Sequence, residues 1–357
     1  MEIRRIREKI DSIDKKIVEL ISKRAKLIKK IGEIKRKRKL SIYVPEREKE
    51  VYRKISQYNP GPLPDEYLKN IYREIMSASL ALEKELTIAY LGPPATFTHL
   101  AALKKFGSAV KYTECSNITE IFTEVEKGNA DFGVVPIENS IEGAVSHTLD
   151  MFIDSELKIC SEVYLEITHY LLSRKKNLSD IRRVYSNPQV FGQCRRWLEK
   201  NIPAAELVEV SSTARAAQIA VEEPDSACIA SRMAKDIYNL NILASSIEDI
   251  PYNITRFLVI GKTLVEPTGN DKTSIMFSVK DRVGALHAML TPFKKYRINL
   301  TKIESRPSKR KVWDYYFFVD LEGHYKNSSV RNALAELEKQ ASYLKILGSY
   351  PKAEEVS

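Results

Sequence analysis

Isoleucine and leucine recur at three- and four-residue steps from the start of the chain: Ile3, Ile6, Ile10, Ile13, Ile17, Leu20, Leu27, Ile31 and Ile34. With no proline and a single glycine, Gly32, this spacing predicts one long amphipathic helix over residues 2–39. Such a stripe cannot bury itself, so partner helices or a second chain must cover it. A second helix is predicted over 44–58, with Pro45 in its first turn. NPGPLP, residues 59–64, is a hard break. Asp65 reads as the cap of a third helix, 66–85, with Tyr67, Ile71, Ile75 and Leu82 on its apolar side. The pattern changes at Leu86. Short apolar runs now alternate with helical stretches: LTIAYLG from 86, FGVVPI (132–137), ITHYLL (167–172), RVYS (183–186), ELVEV (206–210), ACIAS (227–231) and RFLVIG (256–261). This is an α/β unit. VEPTGNDK (265–272) is a linker by composition. Beyond it the order is strand (274–280), helix (284–295), strand (298–305), strand (312–321), helix (328–341), strand (343–349), the βαββαβ pattern of an α+β ferredoxin-like unit. The chain thus reads as multidomain: all-α over 1–86, α/β over 87–264 and α+β over 272–350. KAEEVS, 352–357, reads as disordered.

At 357 residues the length also asks for two or three cores. No uncharged apolar run is long enough to span a bilayer, and MEIRRIREKID lacks the apolar segment of a signal peptide. The expected location is the cytoplasm. Cys115, Cys160, Cys194 and Cys228 are far apart, as are the five histidines, so neither a metal site nor a redox motif is expected. No cofactor is implied. The net charge of +10, from 57 basic and 47 acidic residues, suits either an acidic small substrate or nucleic acid. Much of the excess lies in the first forty residues. KRKRK (35–39) reads as a basic patch, but no aromatic stacking platform accompanies it.

The candidate chemistry gathers at strand ends. Gly92-Pro93-Pro94-Ala95-Thr96 follows the first strand of the α/β unit, Glu138-Asn139-Ser140 follows FGVVPI, Asn187-Pro188-Gln189 follows RVYS, and Ser211-Ser212-Thr213 follows ELVEV. Ligands of open α/β sheets sit outside such carboxyl ends, and helix N-termini nearby favour anions. Any one junction could be a mere cap. Four of them, with Thr255 and Arg256 as a fifth, favour a shared cleft for a small acid.

GPPATFT, PIENSIEGAV, YSNPQVFGQC, SSTARAA and NITRFLVIG together resemble the successive motifs of prephenate dehydratases, over residues 87–262. The resemblance implies a two-lobed fold like that of periplasmic binding proteins, with the active site between the lobes. It implies conversion of prephenate to phenylpyruvate. Thr255 matches the family's catalytic threonine, and its hydroxyl would orient and hydrogen-bond the leaving oxygen. Thr96, Asn139, Ser140, Ser211 and Thr213 would bind or orient prephenate. Gln193 is a further candidate or a structural residue. Arg256 either meets a substrate carboxylate or pairs within the domain. Ala95 stands where the family often has glycine.

The helical segment is similar to the all-helical chorismate mutases, over residues 2 to about 85. The matching residues are Arg7, Arg24, Lys35, Arg47, Glu48, Ser79 and Glu83. Chorismate is a dianion that rearranges without covalent help, so guanidinium forks and an ammonium suffice. Arg24 and Lys35 lie eleven residues apart, about three helical turns, and share a face. Arg7, seventeen residues before Arg24, points elsewhere and would serve a site only from another chain. That fits the intertwined dimer the resemblance implies. Val44 replaces a carboxylate of some members, and Glu83 replaces a glutamine of others.

Residues 272–350 resemble an ACT domain through VGALHAML (283–290) and ESRPSK (304–309). The resemblance implies phenylalanine as effector, with Gly284, Ala285, Leu286, Glu304, Ser305, Arg306 and Pro307 around it. The whole reads as a homodimer or homotetramer acting on chorismate and prephenate, with no nucleic-acid or membrane partner. Two other readings compete. A non-catalytic amino-acid sensor would need neither Thr255 nor the basic set Arg24, Lys35 and Arg47. A DNA-binding regulator would need a short turn where the chain has its proline-rich break.

Overall fold

The computed structural model describes residues 1–38, 40–280, 282–307 and 315–353. Lys39, Ser308, Lys309, the first residues of the expected strand 312–321 and the last four of KAEEVS lie outside them. The chain folds as two units: Met1–Thr87 with Lys105–Lys111, and Ile88–Lys104 with the described residues from Tyr112 onward.

The first unit holds α1 (Glu2–Arg38), α2 (Pro45–Tyr58) and α3 (Asp65–Glu83). Pro45 takes the first helical turn of α2, where its missing N–H costs nothing. Asp65 is the first residue of α3 and not its cap; Pro64 holds that position, and Asp65 accepts a hydrogen bond from Asn59 Nδ2 at 2.6 Å. The only buried residue of α1 is Gly32. Its apolar stripe is open to solvent, with Ile3 70% and Leu20 63% exposed. Among the described residues, no helix is long and apolar enough to cross a membrane.

The second unit contains three sheets. β1 (Thr87–Leu91), α4 (Phe97–Phe106), β2 (Lys111–Cys115), α5 (Ile118–Lys127), β3 (Phe132–Asn139), β4 (Gly143–Ala144), α6 (Ser146–Asp154) and β5 (Lys158–Glu166) open the first lobe. The chain then crosses to a second lobe made of β6 (Tyr170–Ser173), β7 (Arg183–Ser186), α7 (Pro188–Gln193), α8 (Arg195–Asn201), β8 (Glu206–Glu209), α9 (Thr213–Glu222), β9 (Ser226–Ala230), α10 (Arg232–Tyr238) and β10 (Asn241–Ser245). It returns with β11 (Ile254–Gly261), which lies in the first sheet between β3 and β5. The strand orders are β2-β1-β3-β11-β5 and β10-β6-β9-β7-β8. Two sheets joined by two crossings are the two-lobed architecture the dehydratase resemblance implied. Each lobe has its own core, one around Ile121, Phe122 and Phe152, the other around Leu171, Val184 and Ile229.

The sequence pattern does not announce β2, β4, β5 or β10, and for the long β5 the reason is physical. KICSEVYLE carries Ser161 and Glu162, both buried, where a strand inside a sheet normally offers apolar side chains.

The third sheet is built from β12 (Asp271–Ser278), α11 (Ala285–Lys295), β13 (Leu300–Pro307), β14 (Tyr315–Glu322), α12 (Ser328–Glu338) and β15 (Tyr343–Pro351). Its order β13-β14-β12-β15, all antiparallel, is that of a ferredoxin-like unit. The strand begins at Asp271, inside the stretch read as linker. One sheet face packs Ile275, Phe277 and Val319 under Met289, Phe293 and Leu334 of the two helices. The other face sets Met276, Phe318, Leu347 and Tyr350 into the core of the first lobe. Gly348 rests on β5 so closely that a Cβ there would stand 2.2 Å from the Ile159 carbonyl oxygen.

Candidate active sites

In the helical unit, Arg24 Nη1 donates to Ser79 Oγ at 2.6 Å, and Lys35 Nζ donates to Glu83 Oε2 at 2.9 Å and to the Ile42 carbonyl at 2.7 Å. Arg24 and Lys35, expected on one face of α1, thus meet Ser79 and Glu83, one turn apart on α3. Ser79 and Glu83 are buried. Burial lowers the Arg24 guanidinium from its ordinary value, offset by Tyr72, while the Arg47 charge adds to the lowering. Two cations converge beside one carboxylate, so the site has spare positive charge for a dianion.

Gly32 makes this possible, and the helical periodicity does not mark it as a site residue. A Cβ there would meet Glu83 Cα at 3.1 Å, so a side chain at position 32 would push Glu83 away. The available signal was the glycine itself, which costs a helix interior about 1 kcal/mol relative to alanine. Arg47 pairs with Glu50, and Lys54 with Arg47 pulls the Glu50 carboxyl down to about 2. Glu48 accepts from Tyr43 Oη at 2.8 Å and pairs with Lys105 at 2.9 Å, so its carboxylate is already engaged within the unit. Arg7 is exposed on the uncovered part of α1. Val44 supplies no carboxylate where α2 begins.

In the two-lobed part, the residues that open β11 divide by face. Thr255 and Asn139 are opposed in the β11–β3 ladder. Asn139 Nδ2 donates to Thr255 Oγ1 at 2.8 Å and to Asn253 Oδ1 at 2.6 Å. The amide cannot be turned round, because Asn139 Oδ1 accepts the backbone N–H groups of Ile141 and Glu142. Asn253 Nδ2 then donates to Gln193 Oε1 at 3.1 Å, and Gln193 Nε2 donates to Glu142 Oε1 at 3.2 Å. His169 Nε2 lies 2.8 Å from the same Gln193 oxygen, which makes Nε2 the protonated nitrogen. Its Nδ1 is buried with no hydrogen-bond partner among the described residues, and burial lowers the pKa of the ring. The direction of the network has one consequence. Thr255 Oγ1 accepts from Asn139, so its own hydrogen is free to be donated elsewhere.

Ser140 Oγ accepts the Ile254 N–H at 3.0 Å and so ties the end of β3 to the start of β11. Asn139 closes β3 and is not at a helix N-terminus, as the junction reading assumed; α6 starts only at Ser146. Thr96 Oγ1 donates to the Leu91 carbonyl and accepts the His99 N–H, so it caps α4. The loop it closes reaches the second lobe: Ser231 Oγ donates to the Ala95 carbonyl at 2.8 Å and Tyr238 Oη to that of Pro94 at 3.1 Å. Ala95 is fully buried at φ +74°, which explains a family preference for glycine there. Ser212 caps α9 through the Arg215 N–H; Ser211 is exposed beside it, and Thr213 is buried as the first residue of the helix.

Arg256 corrects the expectation of a substrate contact. The alternation of the strand turns it to the face opposite Thr255. There it is buried, with Nε on Glu162 Oε2 at 2.8 Å, Nη1 on Asp320 Oδ2 at 2.5 Å and Nη2 on Tyr350 Oη at 2.9 Å.

In the third sheet, Gly284, Ala285 and Leu286 line a cavity of about 390 Å³ with Tyr315 and Phe317. Gly284 has φ +76° and precedes α11, so a side chain there would strain the turn. Ser305 and Pro307 are opposed to Phe317 and Tyr315 in the ladder and share their sheet face. Glu304 and Arg306 point the other way, which corrects their placement around an effector. Arg306 donates to Asp150 Oδ1 at 3.2 Å and Ser146 Oγ at 2.9 Å, both on α6. All four cysteines are buried, and burial raises the thiol of Cys115 to about 11 and that of Cys160 to about 12, which suits a packing role.

Three family models match the chain: chorismate mutase type II over residues 6–84, prephenate dehydratase over 88–264 and the ACT domain over 273–339. The bifunctional chorismate mutase/prephenate dehydratase of Aquifex aeolicus is 54% identical over 99% of this chain and 98% of its own length. The chain belongs to the bifunctional chorismate mutase/prephenate dehydratases. The Pseudomonas aeruginosa member is 48% identical over the same shares of both chains. Among solved structures, the prephenate dehydratase of Arthrobacter aurescens in complex with L-Phe is 37% identical and superposes with a TM-score of 0.70. That match covers 75% of this chain and 90% of the other.

Proposed function

We propose that the chain converts chorismate to prephenate in its helical unit and prephenate to phenylpyruvate in its two-lobed part, with phenylalanine as feedback inhibitor. The limits we assign are 1–86 for the mutase, 87–264 for the dehydratase and 272–350 for the ACT domain. In the mutase step Arg24, Arg47 and Arg7 of a second copy hold the two carboxylates. Lys35 and Glu83 face the ether oxygen as its bond to carbon breaks, with Ser79 orienting Arg24. Glu48 acts through Tyr43. In the dehydratase step the ring carboxylate leaves as carbon dioxide, its electrons pass through the ring, and the 4-hydroxyl departs with a proton from water. Thr255 donates a hydrogen bond to that oxygen as negative charge builds on it. Asn139, Ser140, Thr96, Ser211 and Thr213 position prephenate. Gly284, Ala285, Leu286, Ser305 and Pro307 form the effector site. The observation that carries the reading is the one-way hydrogen-bond network that leaves the Thr255 proton unspent.

The protein acts in the cytoplasm as a homodimer or homotetramer, because the open stripe of α1 needs a second chain to cover it. Light scattering of the purified protein is expected to give at least twice the 40.8 kDa chain mass, and calorimetry to detect phenylalanine binding. A monomer, or no heat with phenylalanine, contradicts this part of the reading.

Glu83 carries a second expectation. A carboxyl group donates a hydrogen bond to the ether oxygen only when protonated, whereas glutamine donates at any pH. Glu83→Gln, whose amide donates without needing a proton, is expected to turn chorismate over at least as fast as the parent. A Glu83→Gln variant that loses mutase turnover rules this role out.

A further inference from the structure

The sheet alternation that presents Thr255 and Asn139 to one side presents their chain neighbours, Arg256 and Glu138, to the other. Arg256 and Glu138 are themselves opposed in the ladder, and the register shifts between Arg256 and Phe257, so the pair sits at an irregularity of β11 against β3. Both side chains end on the ACT sheet. Arg256 reaches Asp320, and Glu138 Oε2 lies 3.0 Å from Lys302 Nζ and 3.8 Å from Arg256 Nη1. Among the described residues Lys302 Nζ makes no hydrogen bond, so its attraction to Glu138 is Coulombic. Glu162 completes the cluster by pairing with both Arg256 at 2.8 Å and Lys272 at 2.9 Å. The dehydratase supplies Arg256, Glu138 and Glu162; the ACT sheet supplies Lys272, Lys302 and Asp320. Three positive and three negative groups cancel. Glu162 is fully buried and only Glu138 is substantially exposed. Ser274 donates to Asp320 Oδ1 at 2.5 Å, which fixes the carboxylate that Arg256 grips.

β13 has the same two-sidedness. Ser305 and Pro307 share a sheet face with the cavity residues Phe317 and Tyr315. Lys302 and Arg306, on the alternate positions, face the dehydratase and hold Glu138 and Asp150. Asp150 lies on α6, whose Thr148 Oγ1 donates to the Pro136 carbonyl at 2.6 Å, beside the same irregularity of β3.

From this juxtaposition we infer that Glu138 and Arg256 are positioning residues of the dehydratase: braced by Lys302 and Asp320, they hold Asn139 and Thr255 in register from behind and pass the state of the effector cavity to them through β13. The inference rests on Thr255 being the hydrogen-bond donor to the leaving oxygen. Neither positioning residue touches substrate. Each shares a peptide with a residue that does, and a strand backbone cannot move at 256 and stay still at 255. A small displacement of a reacting group is costly, on the order of 10²-fold for about 1 Å.

The test uses the full chain, with Lys302→Met, Glu138→Gln, their double variant and Thr255→Ala as reference. Each is assayed for prephenate turnover, for inhibition by phenylalanine, and for mutase turnover on chorismate as an internal control of folding. Lys302→Met and Glu138→Gln are each expected to lower dehydratase kcat about tenfold or more, with KM within about twofold. They should blunt the phenylalanine response and leave the mutase rate unchanged. The double variant should be no worse than the worse single one, since both remove the same contact. If Lys302→Met does not fold, Glu138→Gln, on the more exposed side of the pair, carries the test. With Thr255→Ala inactive, wild-type kcat and wild-type phenylalanine inhibition in Glu138→Gln overturn the inference. So does a parallel loss of mutase turnover and thermal stability, which marks a cluster that only holds the fold together. A fully active Thr255→Ala instead overturns the reading of the site itself.

Discussion

Thr255→Ala is expected to lower the dehydratase kcat by about 10²–10³-fold, the usual cost of removing one preorganised donor to a developing oxyanion. KM for prephenate should change little, because the ground-state hydroxyl is already solvated and the donor matters as charge builds on it. Thr255→Ser should recover most of the rate, since the hydroxyl that Asn139 orients is retained. Asn139 Nδ2 is the donor to Thr255 at 2.8 Å, so alanine at 255 also leaves that N–H without one of its two acceptors. Mutase turnover in the same preparation should stay at its original value. Steady-state kinetics on supplied prephenate decides this, and a Thr255→Ala enzyme within about threefold of the parent in kcat would remove Thr255 from the chemistry.

The second large effect belongs to Lys35. Lys35→Met is expected to lower mutase turnover by about 10³-fold, with prephenate dehydration unaffected. Two losses combine. The ammonium facing the ether oxygen disappears, and Glu83, buried 2.9 Å from it, loses its partner cation. An unpaired buried carboxylate would also repel the substrate's own carboxylates. Lys35→Arg should not restore the rate, because a planar guanidinium cannot replace a compact ammonium that also donates to the Ile42 carbonyl at 2.7 Å. Chorismate disappearance, followed directly, measures the effect. Retention of more than about a tenth of the parent rate would mean that Arg24 and Arg47 suffice without Lys35.

Much of this was legible in the chain. The three-and-four periodicity of Ile3 to Ile34 gives α1, and the switch at Leu86 gives the change of architecture, because both follow from which face of an element meets water. The all-α, α/β and α+β classes follow from the apolar periodicities, and helical spacing puts Arg24 and Lys35 on one face of α1. That Ser79 and Glu83 belong with them is implied only by the resemblance to chorismate mutases, and their pairing is seen only in the fold. What escaped depends on contacts between distant segments. β5 hides behind a buried Glu162 that is stable only because Arg256 and Lys272 arrive from elsewhere in the chain. For Arg256 the sequence allows a substrate contact or an internal pair, and only the β11 register shows which way it points. Arg306 reads as an effector residue through the ACT resemblance of ESRPSK, yet alternate residues of a strand serve opposite faces. Gly32 matters for what lies against it, and Ala95 for a positive φ that no local pattern announces.

The most direct measurement of the central claim is a product time course on the purified full chain. It is supplied with chorismate, with and without phenylalanine, and prephenate and phenylpyruvate are quantified together. The account predicts transient prephenate, then phenylpyruvate, with phenylalanine suppressing the second step more than the first. Chorismate that persists, together with no phenylpyruvate when prephenate is supplied directly, would contradict it.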